Sequence, residues 1–158
     1  MTNRLSGQVI YTGSSLMGSW SGTNSAVTGQ LIWSQAAGPV SGAVLVDLAR
    51  WSSGNKVRDN HTVALFETQA FPTASFQPTG LKGRVDAGPV TVLGVLSLHG
   101  VKRPVEIPGT VTVAHGWQFF QGDLVLRLTD WQLKRPAMLG VVVADEVKVH
   151  VSGERAAP

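Results

Sequence analysis

Apolar and polar residues alternate along most of the chain with a period of two. In VEIPGTVTV the apolar residues on one face are Val105, Ile107, Val111 and Val113. The polar residues on the other face are Glu106, Thr110 and Thr112. Because successive side chains of a strand point to opposite faces, this stretch predicts a β-strand with one buried face.

The same pattern recurs in other segments. In GDLVLRLTDW, Leu124, Leu126 and Leu128 alternate with polar residues, and DEVKVHVSG repeats the pattern with Val147, Val149 and Val151. Five earlier runs are bounded by Gly, Ser, Pro and Asn residues and also predict strands: GQVIYTG, SAVTGQLIW, SGAVLVDLARW, TASFQPTG and TVLGVLSLHG. Strands therefore fill most of the chain.

One segment predicts a short helix, from about Asn55 to Phe66. Val57, His61 and Leu65 recur there at helical spacing, and Ser53 or Asn55 can cap the first turn.

Many antiparallel strands joined by short turns predict an all-β fold, either a sandwich or a closed barrel. Closure removes sheet edges, which these Val-rich strands do little to protect with charge. We therefore expect one domain over residues 1–158, an antiparallel β-barrel of about eight strands with one short helix. Such a barrel either is filled by its own side chains or encloses one ligand.

The composition limits the classes of partner that we expect the protein to bind. The chain has 13 Lys and Arg against 10 Asp and Glu, and the cations are scattered, so nucleic acid is not an expected partner. No run approaches the roughly 18 apolar residues of a membrane span, which predicts a soluble protein.

The first residues lack the apolar core of a signal peptide. The expected location is therefore the cytoplasm, or the periplasm if a leader preceded this sequence.

Signals of catalysis and metal binding are weak. The chain has no GxSxG motif, and TGSSLMGSWSG lacks the Lys and spacing of a phosphate-binding loop. The four His residues lie in distant segments, and the absence of Cys excludes thiolate ligands. Asp145 and Glu146 are strand neighbours that point to opposite faces. We expect no enzyme activity, no metal and no cofactor.

Three blocks of the sequence carry a resemblance to a known family. SGAVLVDLARWSSGNKVRDNHTVALFETQAFPTASF resembles the signature half of the YceI-like family. VLGVLSLHGVKRPVEIPGTVTV resembles its hairpin, and TDWQLKRPAMLGVVVADEVKVHVSGE resembles its closing strand pair. The N-terminal strands match less well, and Trp51 replaces a smaller aliphatic residue. The resemblance implies a lipocalin-like barrel whose hydrophobic lumen takes up a polyisoprenoid chain, as in isoprenoid lipids or quinones.

On this interpretation the inward side chains form both core and cavity wall. The expected wall residues are Tyr11, Trp33, Val44, Val46, Leu48, Phe66, Phe71, Phe76, Leu96, Leu98, Val105, Ile107, Val111, Leu124, Leu126, Leu128, Val147 and Val149. Most are medium aliphatics, and Gly94 interrupts one strand, which favours a gap over a filled interior.

Five polar residues are candidate contacts for a ligand head group at a barrel mouth. His99, Lys102 and Arg103 lie at a predicted turn, and Arg58 and His61 lie in the predicted helix. Each also has a structural alternative: a turn faces water, Arg58 can stabilise the helix, and His61 can pack against Leu65.

Two functions remain open from the sequence. The first is binding, storage or transport of an isoprenoid lipid or quinone, with transient contact at a membrane surface and an option of homodimer formation. The second is a filled barrel that acts as a stress-related interaction protein without a ligand. Burying ten carbons of an isoprenoid tail would yield about 8 kcal/mol before association costs, so the tail alone can supply the affinity.

Overall fold

The barrel wall consists of eight antiparallel strands. The computed structural model describes residues 5–33, 40–83, 87–138 and 141–156. In this part of the chain the strands close in the order β1-β10-β7-β6-β5-β4-β3-β2, and a two-stranded sheet pairs β8 with β9. The strands are β1 Ser6–Ser15, β2 Gly18–Trp33, β3 Val40–Asp47, β4 Thr73–Gly83, β5 Gly88–Leu98, β6 Val101–Ala114, β7 Trp117–Arg127, β8 Ala137–Met138, β9 Val141–Val142 and β10 Glu146–Ala156. The predicted all-β, lipocalin-like barrel with one helix is confirmed.

Two tight hairpins share one turn chemistry. His99-Gly100 joins β5 to β6, and His115-Gly116 joins β6 to β7. All four residues have positive φ, from 52° to 79°. A two-residue turn with positive φ at both positions is the type I′ turn, whose twist matches that of the flanking strands. Gly adopts positive φ without strain, and His adopts it more often than most residues do.

The helix α1, Lys56–Phe66, begins where the sequence predicts it. The Asn55 side chain accepts a hydrogen bond from the Arg58 backbone N–H at 3.0 Å. This contact caps the helix because the first turn has no internal acceptor for its N–H groups. The helix ends at Glu67, which adopts a left-handed conformation with φ 50°.

The long connection between β7 and β10 differs from the sequence prediction. The residues LTDW form a 3₁₀ helix, Leu128–Trp131, where the pattern predicted the end of a strand. Asp145 explains the change, since its carboxylate accepts bonds from the Thr129 backbone at 2.9 Å and hydroxyl at 2.7 Å. These bonds hold the pKa of Asp145 below its ordinary value. The turn directs Leu128 and Trp131 into the core.

The packed core lies at one end of the barrel. In an up-and-down barrel, β1, β3, β5 and β7 run in one direction, so the turns that follow them lie at the same end. The core is formed by side chains from three of these connections and the adjoining strand ends: Leu48, Ala74, Leu98, Leu128, Trp131 and Leu133. This cluster covers the end of the barrel beside strands β3 to β7. It does not cover the part of that end beside β1 and β2.

A buried asparagine connects two strands beside this core. Asn24 is 1% exposed. Its Nδ2 donates to the Asp47 carbonyl at 2.7 Å, and its Oδ1 accepts from the Ala26 N–H at 2.9 Å. The side chain therefore fixes the end of β3 against β2.

Replacing Asn24 by Ala should lower the free energy of unfolding by about 1 to 3 kcal/mol, because two part-buried backbone groups lose their partners. Urea denaturation monitored by Trp fluorescence measures this. The control is Ser25→Ala at the exposed neighbouring position, which should stay within about 0.5 kcal/mol of the wild type. Equal effects of the two changes would contradict a structural role for Asn24.

Candidate functional site

The barrel encloses a cavity of about 810 Å³. The predicted wall residues that line it are Tyr11, Val44, Val46, Leu48, Phe66, Phe76, Leu96, Leu98, Val105, Ile107, Val111, Leu124, Leu126, Leu128, Val147 and Val149. Alternation along the strands thus placed one wall of aliphatic side chains around a common lumen.

Two predicted wall residues do not belong to this set. Phe71 lies outside the lumen and packs edge-on against His99, with ring centroids 4.7 Å apart. It is not among the lining residues because it precedes β4, where strand alternation no longer sets its direction. The structure does not describe the side chain of Trp33, so its place in the cavity wall stays a prediction.

Aromatic rings in the wall lie over glycines of neighbouring strands. Tyr11 is directly opposite Gly22, and a Cβ at Gly22 would overlap the Tyr11 ring. The Phe76 ring covers Gly94 in the same way. A Cβ at Gly109 would lie 2.7 Å from the Phe120 ring. Because the glycines give these rings space beside the sheet, the centre of the lumen remains open.

The described part of the cavity has an opening between the β1–β2 hairpin and helix α1. Two strongly exposed lining residues are there: Met17 is 82% exposed and Val57 is 61% exposed. Trp20, Arg58 and His61 also line the cavity at this end. We call this opening, defined by Met17, Trp20, Val57, Arg58 and His61, the mouth.

Helix α1 covers the lumen beside the mouth and is held by a few contacts. The Arg58 guanidinium lies 5.9 Å from the centroid of the Trp20 ring, and the Tyr11 hydroxyl is 3.3 Å from that of Thr62. Trp51 stacks on Phe66 of the helix at 6.0 Å. Every residue of the helix keeps some exposure, so the helix is packed less tightly than the strands.

The opposite end of the lumen contains a buried cation. The Arg155 side chain lines the cavity, donating from Nε to Gln118 Oε1 at 2.9 Å and from Nη1 to the Leu31 carbonyl at 3.5 Å. Burial lowers the pKa of Arg155 from its ordinary value because it removes the charged group from water. Arginine stays charged under such a shift. The lumen is thus aliphatic in the middle and polar at both described ends.

The predicted head-group residues separate into two groups. Arg58 and His61 line the cavity, whereas His99, Lys102 and Arg103 do not. His99 Nδ1 is 3.1 Å from the Trp131 carbonyl, and its Nε2 contacts the Glu67 carboxylate. These contacts give His99 a structural role, since they attach the β5–β6 turn to the 3₁₀ helix and to the end of α1.

Lys102 and Arg103 follow that turn in β6, where Lys102 points outward and Arg103, paired with Leu96, lies on the inward face at the end of the strand. Arg103 Nη1 lies 4.0 Å from the Asp130 carboxylate, and Lys102 is exposed. The turn lies at the same end of the barrel as the mouth, but on the opposite side of the packed core. Neither Lys102 nor Arg103 lines the lumen.

Neither a metal centre nor a membrane-spanning helix is found in the described ranges. There, no group of three or more His, Asp or Glu side chains is arranged to hold a metal ion. None of the described helices has the length and apolar character needed to cross a bilayer.

The model of the YceI-like domain matches residues 6–155. The chain belongs to the YceI-like family. The family match confirms the resemblance inferred from the three sequence blocks. The comparison with curated protein sequences gives no match.

Solved structures of this YceI-like fold are similar over most of the chain. BcnA of Burkholderia cenocepacia is 19% identical, with a TM-score of 0.82 over 95% of this chain and 96% of that one. A polyisoprenoid binding domain from Saccharophagus degradans, implicated in plant cell wall breakdown, is 17% identical with a TM-score of 0.79 over both full chains. The Campylobacter jejuni YceI protein is 16% identical, with a TM-score of 0.72 over 87% of this chain and 84% of that one. At these identities the likeness shows the fold.

Several lining residues were missed from the sequence. Val57 was recognised only as part of the helix pattern, and Trp20 lies in a segment not predicted as strand, because β2 begins at Gly18. Gln118 and Arg155 are inward polar residues at strand ends, where the apolar alternation stops. A polar residue in phase with the apolar face of its strand is the signal that could have identified Gln118, two residues before Phe120.

Replacing Gly22 by Ala should lower the free energy of unfolding by about 1 to 3 kcal/mol, because the new Cβ displaces the Tyr11 ring. Urea denaturation measures the change, and the accessible lumen should shrink as the ring moves. The control is Gly80→Ala, whose Cβ would lie 3.7 Å from the Leu93 side chain, an ordinary contact distance. A stability loss equal to that of the control would show that the ring does not depend on the glycine.

Proposed function

We propose that this protein binds, stores or transports an amphiphilic isoprenoid lipid, a polyprenyl phosphate or an isoprenoid quinone, without chemical change. The observation that carries the proposal is the open aliphatic lumen of about 810 Å³ inside a closed sheet. This volume falls in the range of about 300 to 1,000 Å³ typical of sites for small ligands. An apolar space of this size favours an apolar ligand, because water loses hydrogen bonds there.

The family adds support for the ligand class. A structural neighbour is described as a polyisoprenoid binding domain, and this chain shares its fold over its full length. An isoprenoid tail is a slender chain of the shape that a tubular lumen accepts. Its affinity comes from burial of methylene and methyl groups, each contributing about 0.8 kcal/mol.

The polar residues at the two ends would orient the ligand. The 16 lining residues predicted from the sequence, from Tyr11 to Val149, are the proposed tail contacts. Arg58 and His61 at the mouth are the proposed head-group contacts, because they supply a cation and a hydrogen-bonding ring beside an open path. Arg155 and Gln118 at the other end are an alternative location for the head group. His99, Lys102 and Arg103 are not included because they do not line the lumen.

The filled-barrel alternative is less well supported. It requires that side chains occupy the centre of the barrel, whereas the aromatic rings lie against the wall.

A carrier function also requires exchange with the membrane in which such lipids reside, so we include transient contact with a bilayer surface. Nucleic acid is not included, and homodimer formation is not needed for the lumen to bind its ligand.

The direct test is to extract the purified protein with organic solvent and analyse the extract by mass spectrometry. A co-purifying prenyl lipid or quinone would support the proposal. If the extract is empty, the delipidated protein is titrated with farnesyl phosphate and with a short-chain ubiquinone by calorimetry. Failure of both titrations together with an empty extract would refute the proposal.

A paired substitution on β7 tests whether the ligand occupies the lumen. Leu124 points inward and lines the cavity, whereas the adjacent Val125 points outward and is exposed. Leu124→Trp should weaken binding of farnesyl phosphate at least about tenfold because the indole fills tail space, whereas Val125→Trp should leave the affinity unchanged.

Circular dichroism and urea denaturation would show whether both proteins are folded. If Leu124→Trp does not fold, the smaller change Val149→Phe on the paired strand replaces it. Equal affinities of the inward variant and the Val125 variant would place the ligand outside the barrel.

A further inference from the structure

Two large apolar side chains occupy the tip of the β1–β2 hairpin. Leu16 is 98% exposed, and Met17, beside it, is 82% exposed. Polar and small residues surround them, with Ser14 and Ser15 before the turn and Gly18 after it. Leucine at a two-residue turn has no local structural reason, since turns favour Gly, Asn, Asp and Ser. The tip is therefore an apolar projection from an otherwise polar turn.

The exposed tip is continuous with the lumen. Met17 belongs to both, because it lines the cavity and lies beside Leu16. On the other side of the mouth Val57, in the first turn of helix α1, is also exposed and also lines the cavity. An apolar path thus runs from the tip, through the mouth, to the aliphatic wall.

The charges near the mouth favour an anionic partner. Among the described residues the cavity lining includes Arg58 and His61 but no carboxylate. Lys56 and Lys102 are exposed at the same end of the barrel. Throughout the described ranges, no carboxylate lies within 4.0 Å of a nitrogen of Lys56, Arg58 or Lys102.

The carboxylates at this end are, by contrast, engaged with other groups. Asp47 pairs with Arg50 at 3.6 Å, and Asp59 accepts from the Ser53 hydroxyl at 2.6 Å. Glu67 contacts His99, Asp130 faces Arg103, and Glu146 pairs with Arg127. Asp145 accepts bonds from Thr129. The cations around the mouth therefore remain available to a negatively charged surface.

We propose that the β1–β2 tip inserts Leu16 and Met17 into the interface of a lipid bilayer with anionic head groups and so places the mouth against the membrane. This inference rests on the proposed function, because it identifies the surface through which the isoprenoid lipid enters. A bilayer fits better than a protein partner. Two projecting side chains insert readily among lipids, whereas a stable protein interface needs roughly 800 Å² on each side.

The test compares binding of the full chain to sedimented vesicles of two compositions, phosphatidylcholine alone and phosphatidylcholine mixed with phosphatidylglycerol. The wild type should bind the mixed vesicles more strongly, and added salt should weaken the binding. Leu16→Asp should reduce it at least about tenfold, whereas Leu16→Trp should preserve or increase it.

The matched control is Ile32→Asp. Ile32 is 49% exposed, does not line the cavity and lies near the end of β2 that is opposite to the mouth, so the substitution adds the same charge away from the mouth. Vesicle binding of this variant should equal that of the wild type. If Leu16→Asp binds as well as the wild type, or if both Asp variants lose binding equally, the inference is overturned.

Two further readouts separate this inference from the proposed function. Leu16 does not line the cavity, so Leu16→Asp should bind farnesyl phosphate in solution as the wild type does. A wild type that binds this ligand but no vesicle would overturn the inference and leave the proposed function standing. A wild-type dimer that Leu16→Asp converts to a monomer would show that the tip contacts a second copy, and would also overturn it.

Discussion

The close approach of aromatic rings to glycines on neighbouring strands is the constraint on which the open lumen depends. An eight-stranded barrel is narrow enough for its own side chains to fill. In this chain Tyr11 and Phe76 are large side chains, but Gly22 and Gly94 leave room for the rings beside the sheet. The volume that the rings would have occupied remains as cavity. A small number of glycines therefore decides between a packed core and a container, while the aliphatic residues serve equally well in both.

The same arrangement explains how a stable barrel can keep an open cavity. Close packing is concentrated at one end, where Leu48, Leu128 and Trp131 are buried together, and hydrogen bonds of the buried Asn24 connect the strands there. The rest of the wall is held by the continuous strand ladder, which needs no filled centre. Because close packing is confined to one part of the barrel, the ends of the lumen have room for polar groups. Arg155 is tolerated inside the barrel because Gln118 and a backbone carbonyl accept its hydrogen bonds.

The sequence predicted the barrel and most of its wall because strand alternation is a local property, readable from segments such as Val105 to Val111. It also predicted helix α1, because the Asn55 cap is local. It could not place His99, whose partner Trp131 is 32 residues away and becomes a neighbour only through the 3₁₀ helix. The same holds for the mouth, where β1, β2 and α1 meet. Positions decided by one strand were predictable, and positions decided by the meeting of distant segments were not.

An apolar path from the tip to the lumen has an energetic reason. If an isoprenoid tail had to leave a bilayer, cross water and then enter the barrel, each CH₂ would cost about 0.8 kcal/mol on exposure. For ten carbons this is about 8 kcal/mol, which slows transfer by roughly six orders of magnitude. A rim of Leu16, Met17 and Val57 leading into the wall would allow the tail to pass from one apolar environment to the next a few carbons at a time. On the proposed function, the exposed leucine at the hairpin turn, unfavourable for the isolated fold, would make exchange of a water-insoluble ligand fast enough to be useful.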